Sequence, residues 1–294
     1  MLKYCLFLHN FALQIGKTTM KTYDFKPSAL EIEIKTLGKD KRKTKIFPVA
    51  HRTTFFELLF VEAGQGNFKI DFQDVTLNAG DIFVILPNQV CEFDFSDSYS
   101  GKMILFTYNF FAISENDASF LYSAEFLSLA NTSRTVKTDV NFVKQIFSLL
   151  ENELQSAKVS YQSTVCQSLL RVLLLQCERE FCQITRPFAT NIVKQFFNLV
   201  EKNFTANRNI DFYVEQLGVS ENRLAKEVKT ACNLTLKTYI NNRLLLEAKR
   251  LLRFDTLSAK EIAFCLGFDD TSNFSNWFKK QTRKTPLQFK NSKA

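Results

Sequence analysis

A chain of 294 residues has room for two ordinary domains. Its 46% hydrophobic and 23% charged residues are globular proportions, and its 31 Phe residues exclude a disordered chain. Gly (8) and Pro (5) are scarce, which excludes collagen-like and linker-dominated classes and disfavours turn-dense all-β architectures.

Charge is unevenly placed. Residues 1–189 hold 20 basic and 20 acidic side chains, whereas 190–294 hold 18 basic and 10 acidic, so the net +8 lies wholly in the C-terminal part. That asymmetry points to a polyanionic partner for this part. Seven Cys with no C-x-x-C spacing indicate reduced thiols in a cytoplasmic setting. Only two His are present, His9 and His51, too few for His-rich metal clusters or Ser-His-Asp catalysis. No apolar run approaches the roughly 18 residues of a membrane span, so no membrane partner is expected. Residues 1–19 lack a small-residue cleavage pattern and are expected to be a mis-assigned start or a disordered segment, with Met20 opening the folded protein.

In chain order, strands are predicted at Phe56–Val61, Asn67–Phe72, Val75–Leu77, Ile82–Leu86 and Met103–Tyr108, all rich in β-branched and aromatic residues. Gly64-Gln65-Gly66-Asn67 reads as a hairpin turn, followed by turns at Asn78–Asp81 and Pro87–Gln89. Short strands at this spacing suggest a sandwich or small barrel. Beyond residue 138 the period becomes helical. Asp139 caps a first helix, and a second runs from Tyr161 to Cys182 with Cys166, Leu170, Leu173 and Cys177 in one stripe. That stripe suits packing on its own sheet, or a helix pair at a dimer seam. Thr185-Arg186-Pro187 breaks the helix and places the domain boundary.

The basic part contains a repeat at an offset of 49 residues: Asn209, Val214, Leu217, Gly218 and Val219 correspond to Ser258, Ala263, Leu266, Gly267 and Phe268. Each set reads as a capped helix ended by a Gly able to turn the chain sharply, and Ser258 with Glu261 spells a capping box. A further helix follows each Gly, capped by Ser220 in the first copy and by Asp270 or Thr271 in the second. Leu224 and Val228 face inward in one, Phe274 and Phe278 in the other. This is the helix-turn-helix plan, whose second helix must fit a major groove about 12 Å wide. The outward residues are Asn222, Arg223, Ala225, Lys226 and Lys229 in the first copy. In the second they are Ser272, Asn273, Ser275, Asn276, Lys279 and Lys280. Asn can bond adenine bidentately, and Lys or Arg can reach guanine or phosphate. Double-stranded DNA is the expected partner.

The stretches Leu217-Gly-Val-Ser-Glu-Asn-Arg-Leu, Asn242-Arg243-Leu244…Ala248-Lys249 and Glu261-Ile-Ala…Leu266-Gly-Phe-Asp-Asp…Ser272-Asn-Phe-Ser…Thr285-Pro286 closely resemble the AraC/XylS family of bacterial transcription regulators. The resemblance covers about residues 190–291. It implies seven helices, with two helix-turn-helix units joined by a long helix, here Leu236 to Leu252, entering successive major grooves. By position the base-facing residues are Asn222, Ala225 and Lys226, then Thr271, Ser272, Ser275 and Asn276. Where the family usually has Gly after each reading helix, this chain has Asn233 and Arg283. Where the second unit usually presents Arg, it has Asn276.

The strand region resembles the cupin-type sensing domain of such regulators, through His51…Glu57…Gly64-x-Gly66 and Gly80-Asp81…Pro87. His51 and Glu57 are candidate ligand-binding residues there. Thr53 stands two residues after His51, and Cys91 or Glu92 occupies the later His position, so the metal set of an enzymatic cupin is incomplete and no metal or cofactor is expected. The expected fold is therefore α+β with two domains. Residues 20–186 form a cupin-like β-barrel with trailing helices that senses or dimerises, and 190–294 form an all-α DNA-binding domain. The expected function is an effector-responsive transcription regulator and not an enzyme. Its expected partners are DNA, RNA polymerase, a small molecule in the barrel and a second copy of the chain. The alternative is an effector-independent DNA-binding protein whose barrel only dimerises or recruits partners. A DNA-repair alkyl-transfer enzyme would need a zinc-spaced Cys cluster, which is absent from the sequence.

Overall fold

The computed structural model describes residues 21–25, 30–38, 50–93, 99–128, 134–156, 160–184, 190–255 and 257–291. Residues 1–19 and the break at Thr185–Pro187 lie outside them. The chain divides into two compact units, one spanning residues 22–187 and the other holding residues 188–294.

In the first unit the strands are β1 (Lys21–Tyr23), β2 (Ile32–Gly38), β3 (His51–Thr53), β4 (Phe56–Ile70), β5 (Gln73–Asn78), β6 (Asp81–Ile85), β7 (Val90–Phe93), β8 (Tyr99–Phe106) and β9 (Thr135–Lys137). Helices α1 (Tyr108–Phe111), α2 (Glu115–Ser123), α3 (Val140–Gln155) and α4 (Gln162–Ile184) complete it. One half of the sheet orders its strands β2-β8-β4-β6-β9 and the other β1-β3-β7-β4-β5, so β4 belongs to both.

This corrects one expectation. Gly64–Asn67 is not a hairpin turn, because β4 runs through it, with Gly64 paired to Tyr99 and Gln65 to Asn78. A register shift between Val61 and Ala63 and a φ of +78° at Gly64 bend the strand from one half-sheet into the other. A positive-φ Gly serves a bulge as well as a turn. The true β4–β5 turn is Asp71-Phe72, with φ of 51° at Asp71.

Strand β4 is buried on both faces from Phe56 to Val61, which explains the apolar run Leu58–Val61. Phe56, Leu58 and Phe60 join a core with α1–α4, to which α4 contributes Cys166, Leu170, Leu173 and Cys177. The other face, with Leu59 and Val61, joins Leu77, Phe83, Ile85, Cys91 and Met103 in a second core between the half-sheets. Glu57 lies on that inner face by the two-residue period of the strand. Asp139 caps α3 by accepting from the amides of Asn141 and Phe142, as its sequence position predicts.

The second unit has seven helices among the described residues: α5 (Asn191–Asn203), α6 (Ile210–Leu217), α7 (Glu221–Cys232), α8 (Leu236–Phe254), α9 (Ala259–Cys265), α10 (Thr271–Thr282) and α11 (Pro286–Asn291). Helix α8 has 19 residues, about 28 Å of rise. Its buried face carries Glu247 and Arg250, and Arg243 links Glu247 to Glu201 of α5. Among the described residues no helix is long and apolar enough to cross a membrane, and the described cysteines are free thiols.

Candidate functional site

The two helix-turn-helix units form as their sequence signals require. Asn209 and Ser220 cap α6 and α7, while Ser258, in a reciprocal capping box with Glu261, and Asp270 cap α9 and α10. Gly218 (φ +61°) and Gly267 (φ +71°) take the left-handed conformation at the turns. The turns differ in surroundings. A Cβ at Gly218 would meet nothing within 4 Å, whereas one at Gly267 would lie 2.1 Å from the carbonyl oxygen of Thr205. The Arg208 guanidinium donates to the carbonyls of Leu266 and Gly267 and lies 4.0 Å from the Phe268 ring centroid, closing the second turn against the segment before α6.

Helices α7 and α10 show the same alternation of exposure over residues 222–230 and 272–280. Leu224 and Val228, like Phe274 and Phe278, are fully buried. Asn222, Arg223, Lys226 and Lys229 are exposed in the first, and Ser272, Asn273, Asn276, Lys279 and Lys280 in the second. Ala225, Thr271 and Ser275 are half-buried on the same faces. Two of these residues have local engagements. Arg223 pairs with Glu227 at 3.3 Å, and the Asn273 amide donates to Asp270 at 2.6 Å while its backbone NH is capped by the same carboxylate.

In the barrel, β3 and β7 pair with His51 directly opposite Cys91. His51 Nε2 lies 3.2 Å from Cys91 Sγ, and Cys91 Sγ lies 3.9 Å from Glu57 Oε1. Thr53 donates to the same Glu57 oxygen at 3.0 Å. The whole group is buried, and Glu57 Oε2 has no hydrogen-bond partner among the described residues. Burial pushes the Glu57 carboxyl up to about 7, against the lowering effect of the Thr53 and Cys91 hydrogen bonds. The Cys91 thiol is held well above its ordinary value by burial and then by the nearby Glu57 charge. The His51 ring stacks on Phe93 and meets Tyr23 edge-on. A neighbouring buried network joins Asp71 to Gln89 at 2.8 Å and Gln89 to Arg134 at 2.8 Å. The sequence singled out His51 and Glu57 and left the later His position to Cys91 or Glu92. The β3–β7 register selects Cys91.

A family model of an AraC-like ligand-binding domain matches residues 38–174, and one of a helix-turn-helix domain matches residues 213–292. The chain belongs to the AraC/XylS family of transcription regulators. This AraC-family chain is 24% identical over 277 residues to the HTH-type transcriptional activator RhaS of Escherichia coli (strain SE11), covering 92% of this chain and 95% of RhaS. It is 23% identical over 248 residues to an uncharacterized HTH-type transcriptional regulator, SAS0078, of Staphylococcus aureus (strain MSSA476), covering 84% of this chain and 33% of that protein. Among solved structures, ToxT from Vibrio cholerae aligns over 88% of this chain and 98% of its own, with 15% identity and a TM-score of 0.45.

As an AraC-family regulator, the chain combines a sheet-rich, cupin-like ligand-binding domain with a helical DNA-binding domain. Its departures from the family pattern have visible consequences. Asn233 (φ 55°) and Arg283 (φ 60°) both occupy left-handed positions after their reading helices. Asn tolerates that conformation readily; Arg does so at a cost of about 1 kcal/mol.

Proposed function

We propose that this AraC-family regulator reads one operator of about 20 base pairs, with α7 and α10 in successive major grooves. The shared exposure pattern of the two helices carries this reading, since it presents a polar and basic strip at equivalent places on both units. In the first unit Asn222 and Lys226 supply hydrogen-bonding readers, with Ala225 offering a methyl to thymine. In the second, Thr271, Ser272, Ser275 and Asn276 face the bases. Lys229, Lys279 and Lys280 grip phosphates, as Arg223 and Asn273 can once released from their local partners. Because the two faces differ in chemistry, the half-sites differ in sequence.

The barrel binds a small-molecule effector near His51 and Glu57, and the protein acts in the cytoplasm as a regulator working with RNA polymerase and not as an enzyme. A second copy of the chain packs on α4, where Val165, Val172 and Leu175 form an uncovered stripe, Val172 being 47% and Leu175 48% exposed.

Selection of bound duplexes from a random pool tests the reading. Lys226→Ala and Asn276→Ala should each cost about 1–3 kcal/mol and each relax preference in its own half-site only. Relaxation of the same positions by both variants, or of none, would refute the two-unit reading.

A further inference from the structure

We propose that the barrel holds one divalent first-row transition ion, of the Zn2+ or Co2+ kind, on His51, Glu57 and Cys91. The three donor atoms come from different strands, β3, β4 and β7, yet lie within 4.8 Å of one another. Bond lengths of about 2.0 Å to nitrogen and oxygen and 2.3 Å to sulfur put tetrahedral ligands roughly 3.3–3.6 Å apart. The His51–Cys91 separation of 3.2 Å and the Cys91–Glu57 separation of 3.9 Å bracket that spacing. A mixed nitrogen, sulfur and oxygen set suits zinc or cobalt and not magnesium or calcium, which take oxygen ligands.

Hydrogen bonding alone leaves this cluster incomplete. Glu57 Oε2 is buried with no hydrogen-bond partner among the described residues, an arrangement that costs free energy unless something satisfies it. A cation beside the carboxylate does so. Thr53, at 3.0 Å from Glu57 Oε1, holds the carboxylate in place as outer partners of metal ligands do. On binding, the Cys91 thiol gives up its proton to solvent and the thiolate becomes the ligand. Three protein ligands leave a fourth position open, which is where an exchangeable group sits in non-structural sites. The sequence expectation placed Cys91 or Glu92 at the third position and took the set as incomplete; the strand register brings in Cys91, whose sulfur is the third donor. Ion binding stands without the effector reading of the barrel. Only its regulatory consequence rests on that reading.

The test uses the full chain without a His-tag, stripped with a chelator, kept reduced by a phosphine and titrated with Co2+. The expected result is one equivalent bound, with a thiolate-to-cobalt charge-transfer band in the near ultraviolet. Cys91→Ser abolishes the band and Cys182→Ser keeps it. Thr53→Val, which retains all three ligands and the local volume, weakens ion affinity by about 10–100-fold. Absence of stoichiometric uptake by the folded chain, or a band that survives Cys91→Ser, overturns the site. Duplex-DNA affinity is then compared between stripped and Zn2+-loaded protein. A change that Cys91→Ser removes supports the ion as the effector. A Cys91-dependent band with unaltered DNA affinity supports the site and overturns only the ion's effector role.

Discussion

Arg250 Nη1 donates to Glu247 Oε2 across 3.0 Å, one helical turn apart on α8, with both side chains 1% exposed. Arg243 reaches the same carboxylate oxygen at 3.2 Å and Glu201 at 2.8 Å, so α8 is tied to α5 by alternating charges. Glu247→Ala takes this carboxylate away from buried guanidinium groups and should cost about 3–5 kcal/mol. Urea unfolding followed by a probe in the C-terminal unit reads the loss. A cost under about 1 kcal/mol would show that the charges matter little to the helix that spaces the two readers.

Gly218 and Gly267 look interchangeable in the sequence and are not so in the structure. Gly218→Ala meets open space and should cost only the left-handed strain, about 1 kcal/mol. Gly267→Ala must also push the Thr205 carbonyl aside, adding on the order of 1–3 kcal/mol. Thermal unfolding of both variants should rank them in that order. Equal costs would mean the segment before α6 yields freely to the second turn.

Arg283 is a left-handed non-glycine residue at the end of a reading helix. Arg283→Gly should raise stability by about 0.5–1 kcal/mol, because strain is relieved while some chain entropy is added. It should also lower DNA affinity and shallow its salt dependence if that guanidinium meets phosphate. A variant that gains stability with no change in salt slope would place Arg283 off the DNA.

The stripe on α4 gives a prediction about assembly. Val172→Lys with Leu175→Glu places charges on side chains that are already about half exposed, so monomer stability should shift by no more than about 0.5 kcal/mol. Sedimentation should show a dimer for the unaltered chain and its loss in the double variant. Unchanged sedimentation would remove α4 as the seam.

The DNA-binding unit was legible in the sequence because its signals are local. Ser220, Ser258 and Asp270 act within one turn of themselves, and Leu224, Val228, Phe274 and Phe278 repeat at helical spacing. The barrel was legible in kind but not in connection. Gly64 satisfies the sequence rule for a hairpin and the backbone need of a bulge equally well, and only the pairing of Gln65 with Asn78 decides between them. The cupin-like spacing left the position beside His51 to Cys91 or Glu92, and only the strand register, which sets Cys91 opposite His51, decides between them. The clash behind Gly267 was likewise invisible, since it involves the backbone of Thr205, far upstream.

Strand β4 is hydrogen bonded to β5, β6, β7 and β8, so it takes part in half of the barrel's strand pairings. The edge strands β1, β2 and β9 pair with β3, β8 and β6 and can fray by themselves, but the two half-sheets cannot separate without opening β4. Its central amides, around Leu58 to Phe60, should exchange with deuterium only when the whole unit unfolds. Their exchange rate therefore measures the stability of the entire sensor, and anything that binds inside the barrel should slow these amides in proportion to its binding free energy.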